Sequence, residues 1–355
     1  MGFFLGNIGQ THIIFAQDQT ISKQVKDIDG NILYNGTIYH IFFHSLIVYP
    51  KLAFIDPKFN AGYRDWMITR DEFKKILPEL YKNNYILIDI TSLYEIKKDG
   101  TVINKPIYLP QGKKPLILSL DDLSYYPWLV GHGFADKLVL DKNENVATEI
   151  ITPEGKTEIT RDGDAIPILD DFIVFHPDFS FKGAKGTIAL TGYKGILGYR
   201  TDKIKSPNYV KDVESVKKII SILKGNGWRF ASHSYSHDKS YSTGSVSVEK
   251  VKRDAILWDK EVKPLIGDTD IFIGPYGQVF KESDPRRTYL VSRGFKMFCG
   301  VGMDLYLHYF SNSITMDRAD IDGLRLIYSP SLLSGYFNVT SVIDPLRSIT
   351  KLIKI

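Results

Sequence analysis

Short apolar runs and longer segments of helical period take turns along most of this chain. IYHIFFHSLIVY (38–49), YILIDI (85–90), KKPLILSLDD (113–122), GTIALTG (186–192), WRFAS, DIFIG and FKMFCGV read as strands, apolar and rich in β-branched and aromatic residues. Between them, apolar residues recur three and four positions apart. In ITRDEFKKILPELYKNNY (68–85), Thr69 and Glu72 have the spacing of a capping box, and Phe73, Ile76, Leu77 and Leu80 share one helical face. AIPILDDFIVFHPDF (165–179) has the same period and is stopped by Pro177. Further helices are expected over 213–227, which closes on glycines, over 246–267 and over 283–294. Strand–helix alternation repeated this often predicts parallel β/α units, and hence an α/β barrel or a doubly wound sheet.

Two stretches break the rhythm. Within 129–165, DKLVL, TEIIT and TEIT alternate and are separated by DKNEN and PEGK turns, which predicts a β flap inserted into the main domain. Near the start, Asp29-Gly30 is a favoured hairpin turn, so residues 1–36 are expected to form a small N-terminal β extension. The main domain then runs over 37–330, with the insertion at about 129–165, and 331–355 is left as a C-terminal tail packing on it.

Composition narrows the function classes. Of 355 residues, 43% are apolar and 24% charged, which excludes a disordered or collagen-like chain. The single cysteine, Cys299, excludes an intramolecular disulfide framework and a cysteine-based zinc knuckle. A net charge of +4 is spread along the chain and forms no basic stripe, so no nucleic-acid partner is expected. No apolar stretch approaches the roughly 18 residues of a membrane span. The opening MGFFLGNIGQ lacks the basic region of a signal peptide. Nothing in the sequence specifies an oligomeric state.

Candidate chemistry gathers at three strand ends. In ASHSYSH (231–237), His233 and His237 are four apart after the strand WRFAS; on one turn of helix both imidazoles would leave the same face, which suits two ligands of one cation. Two unrelated surface histidines would share the spacing. Asp121 and Asp122 end the apolar run LILSL, where carboxylates imply a cation or a site mouth, or else a helix cap beside a solvated acid. Two histidines and one carboxylate make an open metal site, with the second aspartate free to act as base. FIGPYGQ (272–278) is a third strand end, either approaching a ligand or making a tight turn. Tyr125, Tyr126 and Trp128 follow the acidic pair and suit either sugar stacking at the mouth or core packing under the flap. Asp170-Asp171, inside a helical pattern, is expected to face solvent. EGKT (154–157) lacks the earlier glycine of a phosphate-binding loop, and neither H-E-x-x-H nor G-x-S-x-G is present.

Taken together and in this order, SLDDL (119–123), HSYSH (233–237) and IGPYG (273–277) resemble the motifs of the polysaccharide deacetylases, the NodB-like, carbohydrate esterase family 4 group. The resemblance extends over roughly 38–330, and HPDFSFKGAKGTIALTGYKGILGYRTD resembles a branch with an insertion after the acidic motif. It implies a distorted (β/α) barrel and a hydrolase removing N-acetyl or O-acetyl groups from a cell-wall or other polysaccharide, outside the cell or at its surface. It implies one divalent metal ion, zinc first, with cobalt or nickel as alternatives, and an acetylated glycan as partner. Carried over residue by residue, Asp121 matches the general base, Asp122, His233 and His237 the metal ligands, and the Tyr276 N–H the oxyanion donor. The chain departs from the pattern at Ile273, where the family has an arginine that partners the base, and at Leu123, where it has a glycine. The catalytic acid matches no motif; His308 and His44 are the candidates. The departures leave open a carbohydrate-binding barrel without catalysis, and an amidohydrolase on a small non-sugar amide is a further alternative.

Overall fold

The computed structural model describes residues 25–348. At its centre a ten-stranded sheet curls on itself. From one edge the strands are Leu307–Tyr309, Ile314–Met316, Met297–Cys299, Ile271–Ile273, Arg229–Ser232, Thr187–Leu190, Lys114–Leu120, Tyr39–Phe43 and Ala319–Asp320, with Tyr85–Leu87 pairing the start of 114–120. Only the pair 307–309 with 314–316 is antiparallel; the other pairings are parallel. The curl has a simple cause in the chain path. Strands 314–316 and 319–320 belong to one stretch interrupted by Asp317-Arg318; its first half pairs strand 297–299 and its second half pairs strand 39–43. One segment thereby joins both sides of the sheet, and the α/β barrel expected from the alternation takes this form.

The strands are apolar because the sheet is buried on both faces. Six of the seven residues of 114–120 are buried, as parallel strands covered by helices require. Helices Arg70–Lys82, Ala165–Phe175, Tyr209–Gly225, Val248–Glu261 and Pro285–Ser292 fall in the segments whose periodicity predicts them. The capping box is present: Glu72 N donates to Thr69 Oγ1 at 3.1 Å, and Thr69 N donates to the Glu72 carboxylate at 2.7 Å. Glu72 also takes a two-pronged contact from Arg347, both side chains being fully buried, and Arg347 donates further to the carbonyls of Arg64 and Met67.

The alternating segment forms a three-stranded antiparallel sheet of Ala135–Leu140, Val146–Ile151 and Thr157–Thr160. Leu138 and Val146 pack into the same core as the barrel strands, so this sheet is anchored rather than free. Near the N-terminus the Asp29-Gly30 turn closes a short local ribbon, with Asp27 N donating to Asn31 O and Leu33 N to Val25 O, each at 2.9 Å, and Ile32–Leu33 pairs in addition with Tyr108–Leu109. Residues 1–24 of the expected extension and 349–355 of the expected tail lie outside the described residues. Among the described residues no helix is long and apolar enough to cross a membrane. One expectation is corrected: Asp170 does not face solvent. It is buried and holds Lys185 Nζ at 2.6 Å and the Trp228 indole N–H at 3.0 Å, a tertiary pairing that helical periodicity does not reveal.

Candidate functional site

Three parallel strands, 271–273 beside 229–232 and 114–120 one strand further along past 187–190, deliver the three motifs to one end of the sheet. Strand 114–120 hands over to Asp121, whose N–H donates to Phe43 O at 2.8 Å, and then to Asp122. Strand 229–232 leads into His233, whose N–H donates to Leu190 O at 2.8 Å. Strand 271–273 leads into Gly274-Pro275-Tyr276. The His233–His237 stretch is a loop and not the turn of helix that the spacing suggests. Its two imidazoles meet because Ser234 and His237 adopt left-handed backbone, φ 56° and 47°. Asp122 (φ 59°) and Tyr276 (φ 55°) do likewise. Left-handed backbone at a non-glycine residue costs of order 1 kcal/mol or more, and four such positions around one point mark a site where geometry outranks local comfort.

Asp122, His233 and His237 each turn a ligand-capable atom to within 4.8 Å of the others. His237 Nε2 lies 3.6 Å from Asp122 Oδ2. The Nδ1–H of His233 donates to the carbonyl of Ile273 at 2.8 Å, which sets the tautomer and leaves Nε2 with its lone pair free. The residue standing where the family has arginine thus serves through its main chain. Burial holds the His233 imidazole below its ordinary range against the opposing pull of Asp121 and Asp122, so it stays neutral. Burial pushes the Asp122 carboxyl up, but His237, His233 and the Tyr126 hydroxyl together keep it below the usual carboxylate range. Two imidazole nitrogens and a carboxylate are a donor set that fits zinc, cobalt or nickel.

Asp121 is buried beside this cluster and is gripped by Arg318. The guanidinium reaches Oδ1 at 2.7 Å and Oδ2 at 2.9 Å, and it also donates to Ser119 Oγ and Gly300 O. It lies over the Phe42 ring, 4.1 Å from the centroid. Burial raises the Asp121 carboxyl, yet Arg318, with His233 adding to it, depresses it far below the ordinary value. Arg318 is the site residue that the sequence reading misses. It sits on the segment that joins the two sides of the sheet, 197 residues from its partner, and no local motif announces it.

A cavity of about 240 Å³ opens over the cluster, lined by His44, Asp122, Tyr126, Trp128, Tyr193, His237 and Tyr276. Of the two candidate acids, His44 is therefore at the site, whereas His308 is exposed on the edge strand 307–309 against Tyr306 and Phe310. The aromatic run divides: Tyr125 is core, Trp128 lines the cavity, and Tyr126 stacks on Trp128 while its hydroxyl donates to Asp122 Oδ1 at 2.7 Å. A larger cavity of about 410 Å³, lined by Asp89, Lys105, Phe181 and Arg229, lies at the start of strand 229–232 and, among the described residues, holds no comparable cluster. Chemistry rather than size selects the site.

No protein-family model and no curated protein matches the chain. Solved structures resemble it at low identity. The Streptococcus pyogenes deacetylase PplD in complex with acetate is 14% identical, over 86% of this chain and 99% of that one, with a TM-score of 0.45. IcaB from Ammonifex degensii is 14% identical over 81% and 93%, with a TM-score of 0.42. A de-N-acetylase from Aggregatibacter actinomycetemcomitans is 11% identical over 85% and 100%, with a TM-score of 0.48. Two of the three are named as deacetylases. At such identities and scores no residue's role transfers, and the functional reading rests on the side chains themselves.

Proposed function

We propose that this chain is a metal-dependent hydrolase that removes N-acetyl groups from a glycan, at the cell surface or outside the cell. The observation that carries the reading is the convergence of Asp122, His233 and His237 within 4.8 Å under an aromatic-lined cavity, with a second carboxylate, Asp121, beside them. A divalent ion held by those three residues would polarise an acyl oxygen and make hydroxide available near neutral pH.

The chain's own groups supply the rest. Asp121, ionised and aimed by Arg318, accepts the proton of the attacking water, a role typically worth about 10²- to 10⁴-fold. The Tyr276 N–H donates to the oxygen on which negative charge develops, a contact typically worth about 3 to 4 kcal/mol. His44, in the cavity wall, is placed to return a proton to the departing amine. Trp128 and Tyr193 give flat apolar faces on which a sugar ring can rest. Acetate and an amino sugar leave. The pairing of Arg318 with Asp121 supports the catalytic reading over a barrel without catalysis.

The test is acetate release from N-acetylated oligosaccharides before and after chelation and on return of Zn²⁺ or Co²⁺. Asp121→Asn is expected to keep the metal and lose turnover; His233→Ala is expected to lose both. A His233→Ala protein with full metal occupancy would show the ligand assignment to be wrong.

A further inference from the structure

Behind Asp122 runs a line of three hydroxyls. Tyr126 Oη donates to Asp122 Oδ1 at 2.7 Å; Thr191 Oγ1 lies 2.8 Å from Tyr126 Oη; Ser124 Oγ lies 2.9 Å from Thr191 Oγ1. Ser124 and Thr191 are fully buried and Tyr126 nearly so. Each hydroxyl has one hydrogen to give, and an ionised carboxylate only accepts. Asp122 therefore claims the hydrogen of Tyr126. Thr191 must then donate to the Tyr126 oxygen, and Ser124 to Thr191. The line has one direction, Ser124 to Thr191 to Tyr126 to Asp122, and bonds aligned head to tail strengthen one another. The Tyr126 ring is itself fixed, stacked on Trp128 at 4.4 Å between centroids. One oxygen of Asp122 is thus occupied, while the other, Oδ2, faces His237 Nε2.

We propose that Tyr126 is a positioning residue for Asp122, and that the directed relay from Ser124 and Thr191 keeps one carboxylate oxygen engaged so that only Oδ2 is offered to a bound cation. The proposal rests on the metal reading above. It gives the second oxygen a purpose: with that atom engaged, Asp122 takes a single coordination position and leaves the others to water and substrate.

The probe is the metal ion alone. Zn²⁺ and Co²⁺ affinities of the full chain are measured by competition with a chelating dye, with no substrate present. Tyr126→Phe keeps the stacked ring and is expected to weaken binding by about 10- to 100-fold, the usual effect of losing a group that orients a ligand. Thr191→Val is expected to weaken it less, and Ser124→Ala least, because each stands one bond further from the carboxylate. X-ray absorption of the zinc-loaded Tyr126→Phe protein should show one more oxygen around the metal than wild type. Unchanged affinity and coordination in Tyr126→Phe would overturn the proposal, and wild-type affinity in Thr191→Val would overturn the relay. Wild-type protein that binds neither ion would instead overturn the metal reading itself, so the two failures are told apart.

Discussion

Two buried arginine–carboxylate pairs stand on opposite sides of the function question. Arg347 grips Glu72 and Arg318 grips Asp121, each through two guanidinium nitrogens, and both arginines are almost wholly out of solvent. Their surroundings differ. The further hydrogen bonds of the two charged groups are to main chain: the N–H groups of Thr69 and Asp344 donate to the Glu72 carboxylate, and the carbonyls of Arg64 and Met67 accept from Arg347. That pair fastens the start of one helix to the end of the described chain. Around Asp121 the neighbours are titratable side chains of the candidate site: His233, Asp122 and His44. Identical pairing therefore does two jobs. What separates a clamp from a site is the company the carboxylate keeps, not the strength of the pair.

The comparison breaks first on single substitutions. Arg318→Met and Arg347→Met each leave a carboxylate buried without its cation, and each is expected to lower stability by about 3–5 kcal/mol in denaturant titrations. Acetate release per folded molecule separates them. It should fall by at least about 10²-fold for Arg318→Met, because the base is no longer aimed, and stay within about twofold of wild type for Arg347→Met. Equal losses of turnover would erase the distinction drawn here.

Double substitutions sharpen it. Replacing a buried ion pair by apolar residues of similar size is often neutral or stabilising by about 1–4 kcal/mol. Glu72→Met with Arg347→Met should recover stability and keep turnover. Asp121→Leu with Arg318→Met should recover stability and have none.

The smallest expected effect concerns a buried carboxylate with no cation at all. Asp164 caps helix 165–175, accepting from the N–H groups of Leu46 and Ala165, and burial pushes its carboxyl up to about 6. The folded protein then holds this proton more tightly than the unfolded chain, whose aspartate titrates near 3.9. Its contribution to stability is present below about pH 4 and is lost as pH rises through about 6, up to about 3 kcal/mol in all. Stability of wild type minus that of Asp164→Asn should decline across that window. A flat difference would mean that Asp164 is ionised throughout.

Much of this was legible along the chain because the carriers are contiguous. The apolar run 114–120 followed by two aspartates, the histidines after strand 229–232, and the glycines and proline after strand 271–273 each declare a strand end and its cargo. Parallel packing then brings such ends together. The capping box at Thr69 and Glu72 was equally local. What stayed hidden needs the folded sheet. Arg318 has no motif, since its meaning comes from joining two edges far apart in sequence. The histidine pair was found from helical spacing, yet it converges through left-handed backbone at Ser234 and His237, which residue type does not advertise. Asp170 looked solvent-facing on its helix because Lys185 and Trp228 reach it from elsewhere. The choice of His44 over His308 required knowing which strand end meets the cavity.

The segment that joins the two sides of the sheet has a consequence in time. Asp121 leaves the ribosome 197 residues ahead of Arg318. At about 5–20 residues per second the nascent chain carries its acidic strand end for roughly 10 to 40 seconds before the matching guanidinium exists. The buried pair beside the candidate site is thus completed only when Arg318 emerges, and a product truncated before residue 318 would carry Asp122, His233 and His237 but leave Asp121 without its guanidinium.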